Sequence, residues 1–171
     1  PPDLRAARTS ITLEDGMTGM TENVFLNIKN RYKTITAEVE APDGGGNGAI
    51  IVKGGRFGGL ALYVKDGVLA YDYNFVGLER FTIKADRPLP AGPSTVRFEF
   101  AYDGNGMGKG GTGTLSVNNE KVGEGRIERT QPIVFSADET ADVGIDLATP
   151  VVEAIGAEAA SRFTGSIPSV T

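Results

Sequence analysis

The chain has 171 residues, 40% of them hydrophobic and 23% charged, a balance that suits one globular domain with a sizeable core. Its formal net charge of −5 argues against a phosphate-binding surface, so nucleic acid is not an expected partner, and no apolar run is long enough to suggest a membrane partner. Cysteine and histidine are absent, which excludes disulfides, thiolate catalysis, Cys/His zinc sites and a Ser-His-Asp triad.

Residues 1–32 read as an N-terminal connecting segment, partly strand: 9–13 fits a strand, 15–19 a loop, and 22–28 a strand or a short turn. From residue 33 to 171 the pattern is that of a single β-sandwich domain. In 33–40 (KTITAEVE) a period of two puts Ile35, Ala37 and Val39 on a buried face and Thr34, Thr36, Glu38 and Glu40 in water. Residues 42–46 (PDGGG) end that strand, and 48–53 (GAIIVK) reads as a central one. Two strands, 60–65 and 68–75, flank Asp66-Gly67, a turn pair that favours positive φ and signals a hairpin. In the second, Leu69, Tyr71, Tyr73 and Phe75 share one face, expected to be core. Any surface role then falls to Asp72, Asn74 and the nearby Arg56.

Residues 78–84 form a further short strand. In 95–102 (TVRFEFAY), Val96, Phe98, Phe100 and Tyr102 alternate with Arg97 and Glu99. Strands 112–117 and 121–127 make a hairpin around Asn118-Asn119, and 133–135, 143–147 and 163–167 read as late strands. Only 151–161 (VVEAIGAEAAS) has helical character, interrupted by Gly156. About ten short strands with hairpin turns predict an all-β, antiparallel two-sheet β-sandwich of jelly-roll type.

Two loops invite chemistry. In 103–111 (DGNGMGKGG), a phosphate loop would need glycine where Asp103 stands and Ser or Thr where Gly110 stands. The dinucleotide spacing Gly106-x-Gly108-x-x-Gly111 leads into a strand, where that motif requires a helix, so a hairpin loop is expected. In 136–146 (SADETADVGID), Asp138, Glu139, Asp142 and Asp146 put four carboxylates within nine residues. Such a cluster suits Ca²⁺, a hard cation that takes about six to eight oxygens, with Asp103 joining from another loop. The spacing is not that of an EF-hand, and a solvated loop held by local capping bonds explains the same residues. Tyr63, Tyr71, Tyr73 and Phe75 with Arg56 also suggest a sugar-stacking platform, although no Trp is present and a half-buried core face accounts for them.

Taken in order, 54–59 (GGRFGG), 62–67 (LYVKDG), 73–80 (YNFVGLER), 96–104 (VRFEFAYDG) and 135–144 (FSADETADVG) resemble the C-terminal region of large bacterial arylsulfatases, over most of the chain. The resemblance implies an accessory, concanavalin A-like sandwich without catalytic residues. The family's formylglycine, its carboxylate-held Ca²⁺ and its His and Lys residues lie upstream. Ser166-Ile167-Pro168-Ser169-Val170 departs from the family's [Cys/Ser]-x-Pro-x-Arg signature at Val170 and is a coincidence. Asn118-Asn119 also stands where Asp-Gly is expected, and 152–160 diverges. The implied partner is an upstream sulfatase catalytic domain or another subunit, with a homo-oligomer as a further option, in a bacterial cytoplasm or periplasm. The ends, Pro1-Pro2-Asp3 and Ile167 to Thr171, are those expected of a piece of a longer protein. The rival reading is an independent, lectin-like carbohydrate-binding module. A glycosidase is disfavoured because no E-x-D-x-x-E run occurs.

Overall fold

Alternation along single strands decides which way each sheet faces. The computed structural model describes residues 7–171. In β1 (Lys33–Ala41), Ala37, Val39 and Ala41 are buried while Glu38 and Glu40 are exposed. The same logic runs through β2 (Gly48–Gly55), β3 (Gly58–Lys65), β4 (Val68–Phe75), β5 (Glu79–Lys84), β6 (Gly92–Tyr102), β7 (Lys109–Val117) and β8 (Glu120–Arg129). Two late strands, β9 (Ala141–Val143) and β10 (Ser166–Val170), complete the set. They form two antiparallel five-stranded sheets, in the orders β10-β1-β6-β7-β8 and β5-β4-β3-β2-β9. The fold is an all-β, two-sheet sandwich.

Turn chemistry sets the registers. Asp66 and Gly67 sit at φ 49° and 78° and pair Lys65 with Val68. Glycine is required at the second place, because a Cβ on Gly67 would lie 2.1 Å from the Gly44 carbonyl oxygen. Asn118 and Asn119 hold the same left-handed conformation at φ 51° and 67°, so Asn-Asn closes β7–β8 where Asp-Gly is expected.

Between the sheets, Tyr71 stacks on Phe98 with ring centroids 3.6 Å apart, and Tyr73 meets Phe135 edge-on at 5.9 Å. Leu69, Tyr71 and Tyr73 are buried and Phe75 is half-buried, so the aromatic face of β4 is core.

The opposite face of β4 corrects an expectation. Asp72 and Asn74 are not surface residues: they are 6% and 0% exposed. The reason is a second apolar layer. Val151, Val152 and Ile155 lie over the outer face of the sheet and pack on Ala49, Val52, Ala61, Tyr63 and Ala70. Under that cover Asp72 accepts a hydrogen bond from the Tyr63 hydroxyl at 2.9 Å. The Asn74 amide donates to the carbonyls of Arg56 (2.9 Å) and Gly55 (3.2 Å), and its oxygen accepts from the Gly77 N–H. Asn74 therefore ties two hairpin tips together.

The late and early segments also differ from expectation. Residues 133–135 form no strand, the pairing near 143–147 is limited to β9, and the last strand is displaced to β10. The helical stretch reduces to one 3-10 turn, Glu158–Ser161, after Gly156 at φ 70°. In the N-terminal segment, 9–13 contributes a single bridge, and 22–28 is turn and irregular chain. That segment straps the open side of the sandwich. Leu13 exchanges backbone hydrogen bonds with Val170 of β10, and Met20 with Ala141 of β9. The strap thus joins the edges of both sheets.

Candidate functional site

Beneath this strap lies a cavity of about 610 Å³. Its walls come from the strap, the start of β1, the ends of β2 and β10, and the start of β3. Four basic side chains line it, Arg8, Arg31, Lys33 and Lys53, and among the described residues no Asp or Glu side chain does. That asymmetry stands out in a chain whose net charge is −5.

Two of these lysines owe their place to strand periodicity. Lys33 is in phase with Ile35, Ala37 and Val39 and lies opposite Phe100 on β6, so its side chain turns between the sheets. Its Nζ stands 4.2 Å over the Phe100 ring. No carboxylate pairs with it among the described residues. Burial, with the charge of Lys29 adding to it, pushes the Lys33 ammonium down to about 7. Lys53 ends the inward face of β2 beyond Ile51 and is 1% exposed. Its Nζ donates to Glu22 Oε2 at 2.5 Å and lies 5.0 Å over the Phe25 ring.

Glu22 pairs with two cations at once, because Lys29, 7% exposed, bonds its other oxygen. Burial pushes the Glu22 carboxyl up, but hydrogen bonds and charges from Lys29 and Lys53 outweigh this and hold it below its ordinary value. Burial pushes Lys53 down, Lys29 adds to the shift, and Glu22 opposes it. Glu22 is therefore fully engaged with Lys29 and Lys53, and Lys33 faces the cavity alongside the exposed Arg8 and Arg31.

Of the carboxylates expected to gather around calcium, Asp103 stands apart, while Glu139, Asp142 and Asp146 lie near one another but are engaged by the chain itself. Asp103 is exposed on the β7–β8 side and grips Arg126 at 2.5 Å, which holds its carboxyl below the usual range. β9 and its Asp142 lie at the other edge of the sandwich, so Asp103 does not join the cluster. Asp138 is exposed, and its backbone N–H donates to the Ser136 hydroxyl. Glu139 accepts from the Thr149 hydroxyl at 2.5 Å. Asp142 and Asp146 are buried, 1% and 0% exposed, so the solvated-loop picture fails for both. Asp142 accepts from the Gly19 N–H at 2.7 Å and from Thr140, fastening the strap. Asp146 accepts from the Val151 N–H at 2.8 Å and anchors the outer apolar layer. Burial pushes the Asp146 carboxyl up to about 7, with Asp142, Glu139 and Glu158 adding to the shift. Among the described residues no group of three or more carboxylates is placed to hold a metal ion. Of the expected surface trio only Arg56 is exposed, at the β2–β3 tip.

That tip belongs to an apolar end of the sandwich. Phe57, Leu78, Met107 and Ile133 are all more than half exposed, on the β2–β3, β4–β5 and β6–β7 tips and in the chain leaving β8. Strand direction puts all four at one end, where the Arg129–Glu79 ion pair bridges the two sheets.

No family model matches the chain, and no curated protein matches it in sequence. Among solved structures it is similar to a heptameric SAP-like pentraxin from Limulus polyphemus, at TM-score 0.51 and 16% identity over 82% of this chain and 62% of that one. It is also similar to the Ruminococcus gnavus IT-sialidase CBM40, at TM-score 0.57 and 15% identity over 94% of this chain and 87% of that one. A third likeness is to domains LG4-5 of the mouse laminin alpha1 chain, at TM-score 0.50 and 14% identity over 93% of this chain and 36% of that one. The chain thus spans under two thirds of the pentraxin's length. Identities this low establish the fold alone, a sandwich of the jelly-roll, concanavalin A-like kind.

Proposed function

We propose that this chain is a non-catalytic, lectin-like binding module whose ligand is anionic, such as a sulfated or carboxylated carbohydrate. The cavity beneath the strap carries the proposal: basic side chains line it, and among the described residues no Asp or Glu side chain there competes with an incoming acid. Lys33 supplies the charge-assisted hydrogen bond, since Glu22 already occupies Lys53 and Lys29. The likeness to the CBM40 of a sialidase supports the choice of acidic sugars as first ligands to test. The chain contains no imidazole or thiol, so a histidine-assisted or thiolate mechanism has no groups to run on.

Titration calorimetry with sulfated, carboxylated and neutral oligosaccharides tests this. The acids are expected to bind and the neutral sugars not, with Lys33→Met weakening the acids about tenfold or more. Equal binding of neutral sugars, or full affinity in Lys33→Met, overturns the proposal. Hydrolysis of an aryl sulfate by the purified chain overturns its non-catalytic part.

A second reading, an accessory domain that packs on a sulfatase catalytic domain, draws on the apolar end. Exposed Phe57, Leu78 and Ile133 suit a protein partner. Phe57→Ser with Leu78→Ser is expected to leave the isolated chain's Tm unchanged and to abolish its association with a separately made sulfatase domain. Undiminished association rejects this use of the apolar end.

A further inference from the structure

We infer that the cavity's ligand carries an apolar arm: an organic acid whose charged head meets Lys33 while a hydrocarbon chain or ring runs between the sheets. This rests on the anion-binding reading above and narrows its ligand. The cavity is graded from rim to floor. Of its uncharged polar lining residues, Thr9, Ser10, Asn27, Tyr32 and Thr171 are exposed, Thr34 and Thr36 of β1 are half-buried, and none is fully buried. The lining residues that are buried are Leu13, Phe25, Ile51, Leu60, Val170 and the already paired Lys53.

A sugar hydroxyl pushed to that floor would lose water and find no free side-chain partner, which is unfavourable. A methylene placed there gains with every ångström it leaves the solvent. The volume of about 610 Å³ also exceeds what one carboxylate or sulfate group fills, so a head group at the rim leaves the floor for the rest of the ligand. Half-buried Leu26 and Ile28 of the strap, with Ile35 of β1, continue the apolar wall toward the mouth. The arm therefore enters along the strap.

Acetate, butanoate, hexanoate and octanoate, each titrated into the purified chain below micelle formation, test the arm. A sulfated disaccharide without an aglycone is the comparison. Affinity is expected to rise about threefold to fourfold per added methylene. Ile28→Ser should flatten that rise, while Lys33→Met weakens every acid alike and keeps its slope. If chain length has no effect while the sulfated disaccharide binds, the apolar arm is wrong and the anion site stands. If neither the alkanoates nor the disaccharide binds, both fall. Near-ultraviolet circular dichroism of each variant checks that the core is intact, and Leu26→Ser repeats the test if Ile28→Ser is not folded.

Discussion

Glu22→Gln isolates the electrostatics on which the cavity depends. The carboxylate sits between Lys53, 1% exposed, and Lys29, 7% exposed, so its loss leaves two ammonium groups close together and cut off from water. Breaking a buried pair by removing one partner costs about 3–5 kcal/mol. Deprotonation caps that cost. A lysine that cannot stay charged in the fold releases its proton, and from an ordinary value of 10.5 this costs about 1.4 kcal/mol for each pH unit the solution lies below it. The ceiling at neutrality is then about 5 kcal/mol, so the variant should lose roughly 3–4 kcal/mol, a large share of a typical domain's stability. The sign of the pH effect follows. In the variant the unfolded chain binds the proton that the fold has released, so stability rises with pH. In the wild type Glu22 opposes the lowering of Lys53, so that lysine contributes a smaller slope, and the slope from Lys33 is common to both chains and cancels in the difference. Urea denaturation at about pH 7 and pH 9 should show the deficit shrinking by up to ~1.4 kcal/mol per unit. Adding Lys53→Met to Glu22→Gln should recover much of the loss. A deficit under about 1 kcal/mol at pH 7, or one that does not change with pH, would refute the account.

Acid binding itself should fall as pH rises through about 7, because Lys33 is charged below that value and neutral above it; Lys33→Met should make the affinity insensitive to pH, and an unchanged profile would exclude Lys33. Asp146, raised from 3.8 to about 7, holds its proton in the fold, so its contribution is fully present below the unfolded value and is lost as pH rises through 7. Asp146→Asn should therefore stabilise the chain above pH 7 by a few kcal/mol and leave it nearly unchanged at about pH 4; equal gains at both pH values would reject the cause. Val76, a β-branched residue held at φ 47° in the β4–β5 turn, is strained, and Val76→Asn should raise stability by about 1 kcal/mol in urea denaturation; a loss would mean the valine is held there by contacts that matter more.

Much of the sandwich is legible because its rules are local. Period-two alternation in β1 and β6 and the turn pairs at 66–67 and 118–119 each act within a few residues. What alternation in β4 alone does not tell is what covers the second face of a strand. Asp72 and Asn74 look solvated in VLAYDYNF, yet Val151, Val152 and Ile155 arrive from far along the chain to cover them. The neighbouring strand carried a hint. β3 reads GGLALYVK, apolar at both parities, and is buried throughout except at Lys65, the mark of a strand packed on both faces. The carboxylates of 136–146 mislead for a similar reason. Their density suggests a cation, whereas Asp142 and Asp146 accept backbone N–H bonds that hold the strap and the outer layer in place.

The cavity was missed although its signal was present in the same alternation. Lys33 is in phase with Ile35, Ala37 and Val39, and Lys53 ends the inward face of β2, so both lysines point into the sandwich from opposing sheets. An exposed lysine at a strand end needs no explanation, but an inward one must find a counter-charge or lose its proton. For Lys53 the counter-charge is Glu22, 31 residues earlier in the strap, a pairing that only the tertiary fold creates. For Lys33 the described chain supplies an aromatic ring and no carboxylate, and its ammonium is correspondingly weakened. An external acid at the cavity mouth would complete the pattern that Glu22 completes for Lys53. The two strand-end lysines thus pose one electrostatic problem, solved inside the chain in one case and open to a ligand in the other.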